Sequence, residues 1–279
     1  MGQVMFIVWR ESVEALLVVG ILHAWLKNGG VDARRGLPYL WTGVGIGVVA
    51  AIGLGAALLG FSEILSGDAQ DYFQITMVLL AAVLIVQMVY WMRKYGRTLK
   101  REMESSLKES LKIANWWDVT ALAALAIARE GSETVIFLYG LGLGQHNSMS
   151  RMVLGAVIGL GLALLTFYLL QLGGKIFSWR RFFQVTEIIL LFLAAGLLLN
   201  GVERLMSLDI IPSLVDPIWD SSRLLDDSGT IGNLIAMLTG YRAHPALMSL
   251  LVYIAYWATV LLFFKQAMPK KHPQVQIST

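Results

Sequence analysis

The chain lacks cysteine and carries little charge. None of its 279 residues is cysteine, which excludes disulfides, thiolate metal ligands and thiol catalysis. Only 15% of the residues are charged and 57% are hydrophobic, whereas a soluble domain has about 25% charged and about 45–50% apolar residues. The mean hydropathy is +0.66. These values exclude a soluble or disordered chain and predict a single membrane domain over residues 1–279.

Two sequence signals are also absent. Residues 1–9 contain no Lys or Arg, and charged residues interrupt the apolar run that follows. We therefore expect the N-terminal segment to be a mature helix and not a cleaved signal peptide. The chain has no Gly-rich loop ending in Gly-Lys-Ser/Thr, so nothing indicates a nucleotide-driven process. We expect no organic cofactor and no nucleic-acid partner.

Apolar runs predict an all-α membrane protein with seven transmembrane helices. About 20 apolar residues cross a bilayer as a helix. On that basis the spans are expected at about 3–26, 38–61, 72–92, 117–143, 151–172, 183–203 and 246–265, with an outer loop at 204–245. Aromatic residues such as Trp91 lie at many span ends, as in an interfacial belt. The 12 methionines are interpreted as core filler.

The charged residues predict the orientation. Alternate connections contain 16 Lys and Arg on one side of the membrane and 4 on the other. The positive-inside rule then places the N-terminus outside and the C-terminus in the cytoplasm. Acidic residues collect on the outer side, where they would raise the local concentration of cations, although loops need polar residues in any case. The strongest candidates for this recruitment are Asp216, Asp220, Asp226 and Asp227.

A weak duplication divides the spans into two copies. The segment Arg10-Glu11-x-x-Glu14 in span one recurs in span four as Arg129-Glu130-x-x-Glu133, and Phe-Gln-x-Thr opens spans three and six. Gly-rich stretches occur in spans two and five. Because each copy has three spans, the copies enter the membrane from opposite sides. We predict a 3+3 inverted repeat (about 1–92 and about 117–203) plus one extra helix, with a site between the copies.

The two duplicated motifs place six formal charges inside spans. Residues three and four apart share a helix face, so each glutamate pair projects in one direction. Each arginine can neutralise the second glutamate of its motif, which leaves Glu11 and Glu130 without an arginine. The six residues have a net charge of −2, and an oxygen-only cluster suits a hard cation. The alternative is that Arg10–Glu14 and Arg129–Glu133 are ion pairs that only hold helices together.

Glu187 is a further acidic residue within a span. It follows the second Phe-Gln-x-Thr segment, at a position where the first copy has Met77. It could be an auxiliary ligand or a proton acceptor, or it could simply be protonated in lipid. We place it among the supporting residues of the site.

With both motifs in view, the chain resembles the oxidase-dependent iron transporter family, the high-affinity iron permeases, and in particular its bacterial EfeU-type members. The resemblance includes Tyr90-Trp91-Met92-Arg93-Lys94 and the outer-loop elements Trp219-Asp220-Ser221-Ser222 and Gly240-Tyr241. It implies a multi-pass permease of the bacterial cytoplasmic (inner) membrane with iron as transported substrate. It also implies metal-handling carboxylates at Glu11, Glu14, Glu130 and Glu133, supported by Arg10 and Arg129.

The same resemblance implies a partner. An extracytoplasmic iron-binding or oxidase protein would deliver ferric iron, and the lipid bilayer surrounds the chain. The main alternative is a permease for another heavy or divalent cation such as manganese or lead. Paired carboxylates could also serve an intramembrane hydrolase, but the duplicated arginines have no role there. A purely structural membrane subunit is the third alternative.

Overall fold

The computed structural model describes residues 2–95, 116–143, 149–172 and 179–267, apart from 224, 228, 230, 231, 233, 234, 237 and 238. Every regular element in these ranges is helical. A single helical turn, Val31–Arg34, precedes the second long helix, and a π-helical turn, Tyr139–Leu143, continues the fourth. The long helices are α1 (Gly2–Asn28), α2 (Leu37–Ile64), α3 (Asp68–Tyr95), α4 (Trp117–Leu138), α5 (Met149–Leu172), α6 (Trp179–Ser207) and α7 (Leu247–Ala267).

Each of the seven apolar runs coincides with one long helix, so the all-α class is confirmed. Five of these helices, α2, α3, α5, α6 and α7, are long and apolar enough to cross a membrane. The other two, α1 and α4, each carry three charged side chains within five residues, which interrupts their apolar stretches. The count of seven spans stays a prediction.

The orientation also stays a prediction. Many of the basic residues on which it depends lie at 97–112, 175, 270 and 271, outside the described residues. The outer segment 204–245 is mostly non-helical where it is described. Backbone hydrogen bonds tie its first part to the start of α7, for example from Ile218 N–H to Pro245 O and from Leu247 N–H to Val215 O.

The largest hydrophobic core lies where α3, α6 and α7 meet. Small side chains on α3 and α6, such as Ala81 and Ala194, are fully buried and let these helices approach closely. Phe264 of α7 packs against the same core. The outward faces of the helices are apolar too, with Val49 on α2 and Val157 on α5 largely exposed. Apolar faces of this extent are stable against lipid and not against water. The chain is a membrane protein.

Glycine-rich helices hold the two motif-bearing helices. The two most extensive helix contacts are α2 on α4 and α5 on α1. At Gly47, an added Cβ would lie 2.9 Å from the carbonyl oxygen of Ala124 on α4. At Gly159, it would lie 2.6 Å from the carbonyl oxygen of Met5 on α1. The predicted repeat relates α1 to α4 and α2 to α5. Under this relation, the contact of α2 with α4 corresponds to the contact of α5 with α1. The contact pattern supports the repeat, which stays a prediction.

Candidate metal-binding site

Three carboxylates from α1 and α4 meet between these two helices. Glu11, Glu14 and Glu130 each offer an oxygen atom, and these three atoms lie within 4.8 Å of one another. Within the described ranges, this is the one group of three or more acidic or histidine side chains so arranged. Oxygen ligands bind hard cations at about 2.0–2.6 Å, so opposite ligands are about 5 Å apart. The spacing therefore suits one ion.

The fourth predicted carboxylate, Glu133, lies beside this group without belonging to it. One of its oxygens accepts a hydrogen bond of 3.1 Å from Arg129 Nε. Its other oxygen is buried and, like Oε2 of Glu130, accepts no hydrogen bond from the described residues. Both atoms are acceptors that a cation or water could use. Of the four predicted iron-handling glutamates, the structure thus groups three and places one at the edge.

Arg10 pairs with both glutamates of its own motif. Its Nη1 donates to both oxygens of Glu11, at 2.8 and 2.9 Å, and its Nη2 is ion-paired with Glu14. The expected pair four residues apart is present. The expectation that Glu11 has no arginine is wrong, because the buried Arg10 side chain reaches both carboxylates.

The second motif is paired less completely. Arg129 binds Glu133, as the spacing of four residues predicted, and Glu130 has no ion pair with it. The side chain of Arg129 is 41% exposed, against 1% for Arg10. The two copies of the motif therefore differ. Arg10 pairs with two carboxylates in the interior, whereas Arg129 pairs with one carboxylate at the edge of the interior.

Helix α3 completes the surroundings of both arginines, and sequence reasoning missed this. Arg10 donates to the sulfur atoms of Met88 and Met92, and the Arg129 guanidinium lies 4.5 Å from the centre of the Trp91 ring. Met88 lies in the largest core, as the interpretation of the methionines as core filler predicted, and both Met88 and Met92 also contact Arg10. The signal in the sequence was the spacing of Met88, Trp91 and Met92, which places these three residues on one face of a helix.

Glu187, the predicted supporting residue, has a different partner. Its carboxylate accepts a 2.8 Å hydrogen bond from Arg93 of α3 and is largely buried. The Arg93 guanidinium also lies 4.1 Å from the centre of the Phe264 ring on α7. Glu187 is not in the three-carboxylate group. It joins α3 and α6, and a direct role in the site stays a prediction.

The four aspartates predicted to recruit cations are spread along the segment 204–245. Asp216, Asp220 and Asp226 are exposed, and Asp227 accepts a hydrogen bond from the Ala243 amide. Hydrogen bonds from the hydroxyl and amide of Ser222 lower the pKa of Asp220, and nearby His244 acts in the same direction. Among the described residues, these aspartates form no group with metal-ligand spacing. Recruitment of cations by them stays a prediction.

Comparison with known families decides the class of protein. Residues 1–272 match the model of the iron permease FTR1 family. The chain belongs to this family. Members of the family are permeases, and the chain is a transporter and not an enzyme.

Named relatives within the FTR1 family extend the comparison. The "Ferrous iron permease EfeU" of Escherichia coli O6:K15:H31 is 28% identical over 260 residues, which cover 92% of this chain and 93% of the relative. The protein of the same name from Yersinia pestis is 27% identical over 262 residues, 92% of this chain and 91% of the relative. No solved structure matches the chain.

Proposed function

We propose that this member of the iron permease family carries iron across the bacterial cytoplasmic membrane through the carboxylate site between α1 and α4. Glu11, Glu14 and Glu130 are the ion ligands, and Glu133 joins them when iron is bound. Arg10 and Arg129 orient the carboxylates, and Glu187 holds α6 beside α3 through its ion pair with Arg93. The observation that carries the proposal is the approach of three carboxylate oxygens from two helices to within 4.8 Å.

The charge of the site supports a cation as cargo. Four glutamates against two arginines give a net charge of −2 when all are ionised, and burying uncompensated charge is costly. A bound metal ion supplies the missing positive charge. Glu130 argues against the alternative that the ion pairs only hold helices together. Its Oε2 is buried and has no hydrogen-bond donor among the described residues, and that alternative gives no reason for such an atom.

The proposed transport mechanism uses the two predicted repeats. In the proposed mechanism, iron gathers at the outer aspartates Asp216, Asp220, Asp226 and Asp227 and passes to the glutamates. One repeat then moves against the other and opens the site to the cytoplasm. The ion is ferric, and an extracytoplasmic iron-binding or oxidase protein delivers it, as the resemblance to the oxidase-dependent iron transporters implies.

Ferrous iron is the second candidate cargo. Both named relatives are called ferrous iron permeases, and a doubly charged ion neutralises a site of charge −2. Uptake of labelled iron decides between the two states. Ferric delivery requires an oxidant or the partner protein, whereas direct ferrous uptake continues when ascorbate keeps the iron reduced and the partner is deleted.

The site itself is tested with charge-neutral variants. Glu130→Gln and Glu14→Gln are expected to reduce labelled-iron uptake at least tenfold while membrane insertion is unchanged, because the amide keeps the size of the side chain and removes its charge. The matched control is Glu63→Gln, which alters an exposed carboxylate at the end of α2 and should leave uptake intact. Normal uptake by both site variants would refute the proposed site.

Metal selectivity is measured in the same cells. Iron should compete well against labelled manganese or lead, and neither metal should compete well against labelled iron. Efficient manganese uptake with iron as a poor competitor would instead assign the site to another divalent cation.

A further inference from the structure

One face of α3 touches the arginines of both motifs. Met88, Trp91 and Met92 are three and four residues apart and share this face. Arg10 donates from Nη1 to Met88 Sδ and from Nη2 to Met92 Sδ, the latter at 3.0 Å. The guanidinium of Arg129 lies 4.5 Å from the centre of the Trp91 ring. A single helix outside the two motifs therefore contacts both of their cations.

The three contacts from α3 share one chemical property, which is that none of them carries charge. A guanidinium has five N–H donors, and a buried one needs acceptors for them. Each terminal nitrogen of Arg10 has one carboxylate and one thioether as partners. The thioethers are weak acceptors, and an aromatic face attracts a cation through its quadrupole. Both kinds of contact hold an arginine and leave its charge available to the glutamates.

The charged residue next along this helix is directed elsewhere. Arg93 pairs with Glu187 of α6 and stacks on Phe264 of α7. A carboxylate in place of Met88 or Met92 would compete with Glu11 and Glu14 for Arg10 and would change the charge of the site. The sequence instead places sulfur at both positions, and neither residue adds charge to the site.

We propose that the face formed by Met88, Trp91 and Met92 is a positioning surface that fixes both motif arginines through uncharged contacts and so sets the affinity of the carboxylate site for its metal ion. The inference rests on the proposed function and deepens it. When an ion draws Glu11 and Glu14 toward itself, the two sulfur atoms keep the Arg10 guanidinium in place beside them. These three are positioning residues, because they act on the ion through the arginines.

Substitutions at Met92 separate positioning from packing. Met92→Leu keeps the apolar volume and removes the acceptor, whereas Met92→Gln keeps the length and supplies a neutral acceptor. The control is Met77→Leu, a buried methionine of the same helix. The measurements are KM and kcat of iron uptake, together with the thermal stability of the purified protein.

We expect Met92→Leu to raise KM by about 10–100-fold, the range typical of residues that orient metal ligands. Its kcat and melting temperature should stay close to those of Met77→Leu. Met92→Gln should return KM to within about threefold of the wild type, since an acceptor is restored. Trp91→Phe should retain more affinity than Trp91→Leu, because it keeps an aromatic face for Arg129.

Two results would overturn this inference. In the first, Met92→Leu has the same KM as Met77→Leu. In the second, Met92→Gln is as impaired as Met92→Leu, so that the acceptor is irrelevant. The Glu130→Gln variant separates this failure from failure of the proposed function. If Glu130→Gln abolishes uptake while the Met92 variants behave as the control, the carboxylate site stands and only the role of α3 is refuted.

Discussion

The arginines of the two motifs occupy different environments. Arg10 is 1% exposed and binds Glu11, Glu14 and two sulfur atoms, while Arg129 is 41% exposed, binds Glu133 and lies over the Trp91 ring. Breaking a buried ion pair leaves a charge uncompensated and costs about 3–5 kcal/mol. Arg10 compensates two carboxylates in the interior, whereas Arg129, at the edge of the interior, compensates one. The same residue type in the same motif should therefore contribute very differently to stability.

This difference gives the first prediction. Arg10→Leu should lower the free energy of unfolding by about 3–5 kcal/mol, because Glu11 and Glu14 lose their cation in the interior. Arg129→Leu should lower it by less, because only Glu133 loses its cation. Chemical denaturation in detergent micelles measures both values. Equal losses would mean that the buried and exposed pairs are energetically alike.

Some residue contacts could be predicted from the sequence, and others depend on the fold. The Arg10–Glu14 and Arg129–Glu133 pairs follow from helix periodicity, since residues four apart are neighbours on any helix. The Arg10–Glu11 pair could not be predicted in this way, because adjacent residues on a helix do not face each other. The contacts with Met88 and Trp91 required the position of α3, which no local pattern specifies.

At the scale of helices, close approach depends on particular glycines and not on glycine content. Gly47 of α2 faces Ala124 and Ile127 of α4, whereas Gly45, two residues earlier, has no atom within 4 Å of an added Cβ. The same contrast recurs on α5, where Gly159 contacts the α1 backbone and Gly161 contacts nothing. The chain thus contains a matched pair of glycines on each Gly-rich helix.

The second prediction uses these pairs. Gly47→Ala and Gly159→Ala should each lower the free energy of unfolding by about 1–3 kcal/mol and reduce iron uptake, because the added methyl group pushes a motif helix away. Gly45→Ala and Gly161→Ala should be neutral or stabilising by up to about 1 kcal/mol. Unfolding in micelles and labelled-iron uptake report the two effects. An equal response of all four variants would contradict the assigned contacts.

The extent of each helix was predictable, and the choice of neighbours was not. Apolar runs bounded by polar and aromatic residues located all seven long helices to within a few residues. Gly-rich composition predicted that α2 and α5 pack closely against something. The composition did not indicate that α2 packs on α4 and α5 on α1, because an apolar helix face does not specify which helix packs against it.

For the whole molecule, the absence of cysteine provides a test of the predicted topology. A single introduced cysteine is the one thiol in the chain. Asp32 lies between α1 and α2, Ser66 lies between α2 and α3, and both are exposed. The third prediction is that a membrane-impermeant maleimide labels Ser66→Cys in intact spheroplasts and labels Asp32→Cys only after permeabilisation. Labelling in the reverse order would invert the topology.

The charge of the carboxylate site has an electrical consequence for transport. With all four glutamates ionised, the two arginines leave the empty site with a charge of −2. Bound ferric iron would then bring the charge to +1, and bound ferrous iron would bring it to zero. A membrane potential is worth about 2.3 kcal/mol per elementary charge per 100 mV. In a cell whose interior is negative, the voltage would thus act on the unloaded protein and favour its return to the outward-facing state.

The fourth prediction follows from this asymmetry. If the cargo is ferrous iron, collapse of the potential with valinomycin and potassium should slow the maximal rate in proteoliposomes through the return of the unloaded protein alone. A ferric cargo would give the loaded site a charge of +1, and voltage would then act on both halves of the cycle. The dependence of turnover on voltage therefore reports the valence of the ion that this permease carries.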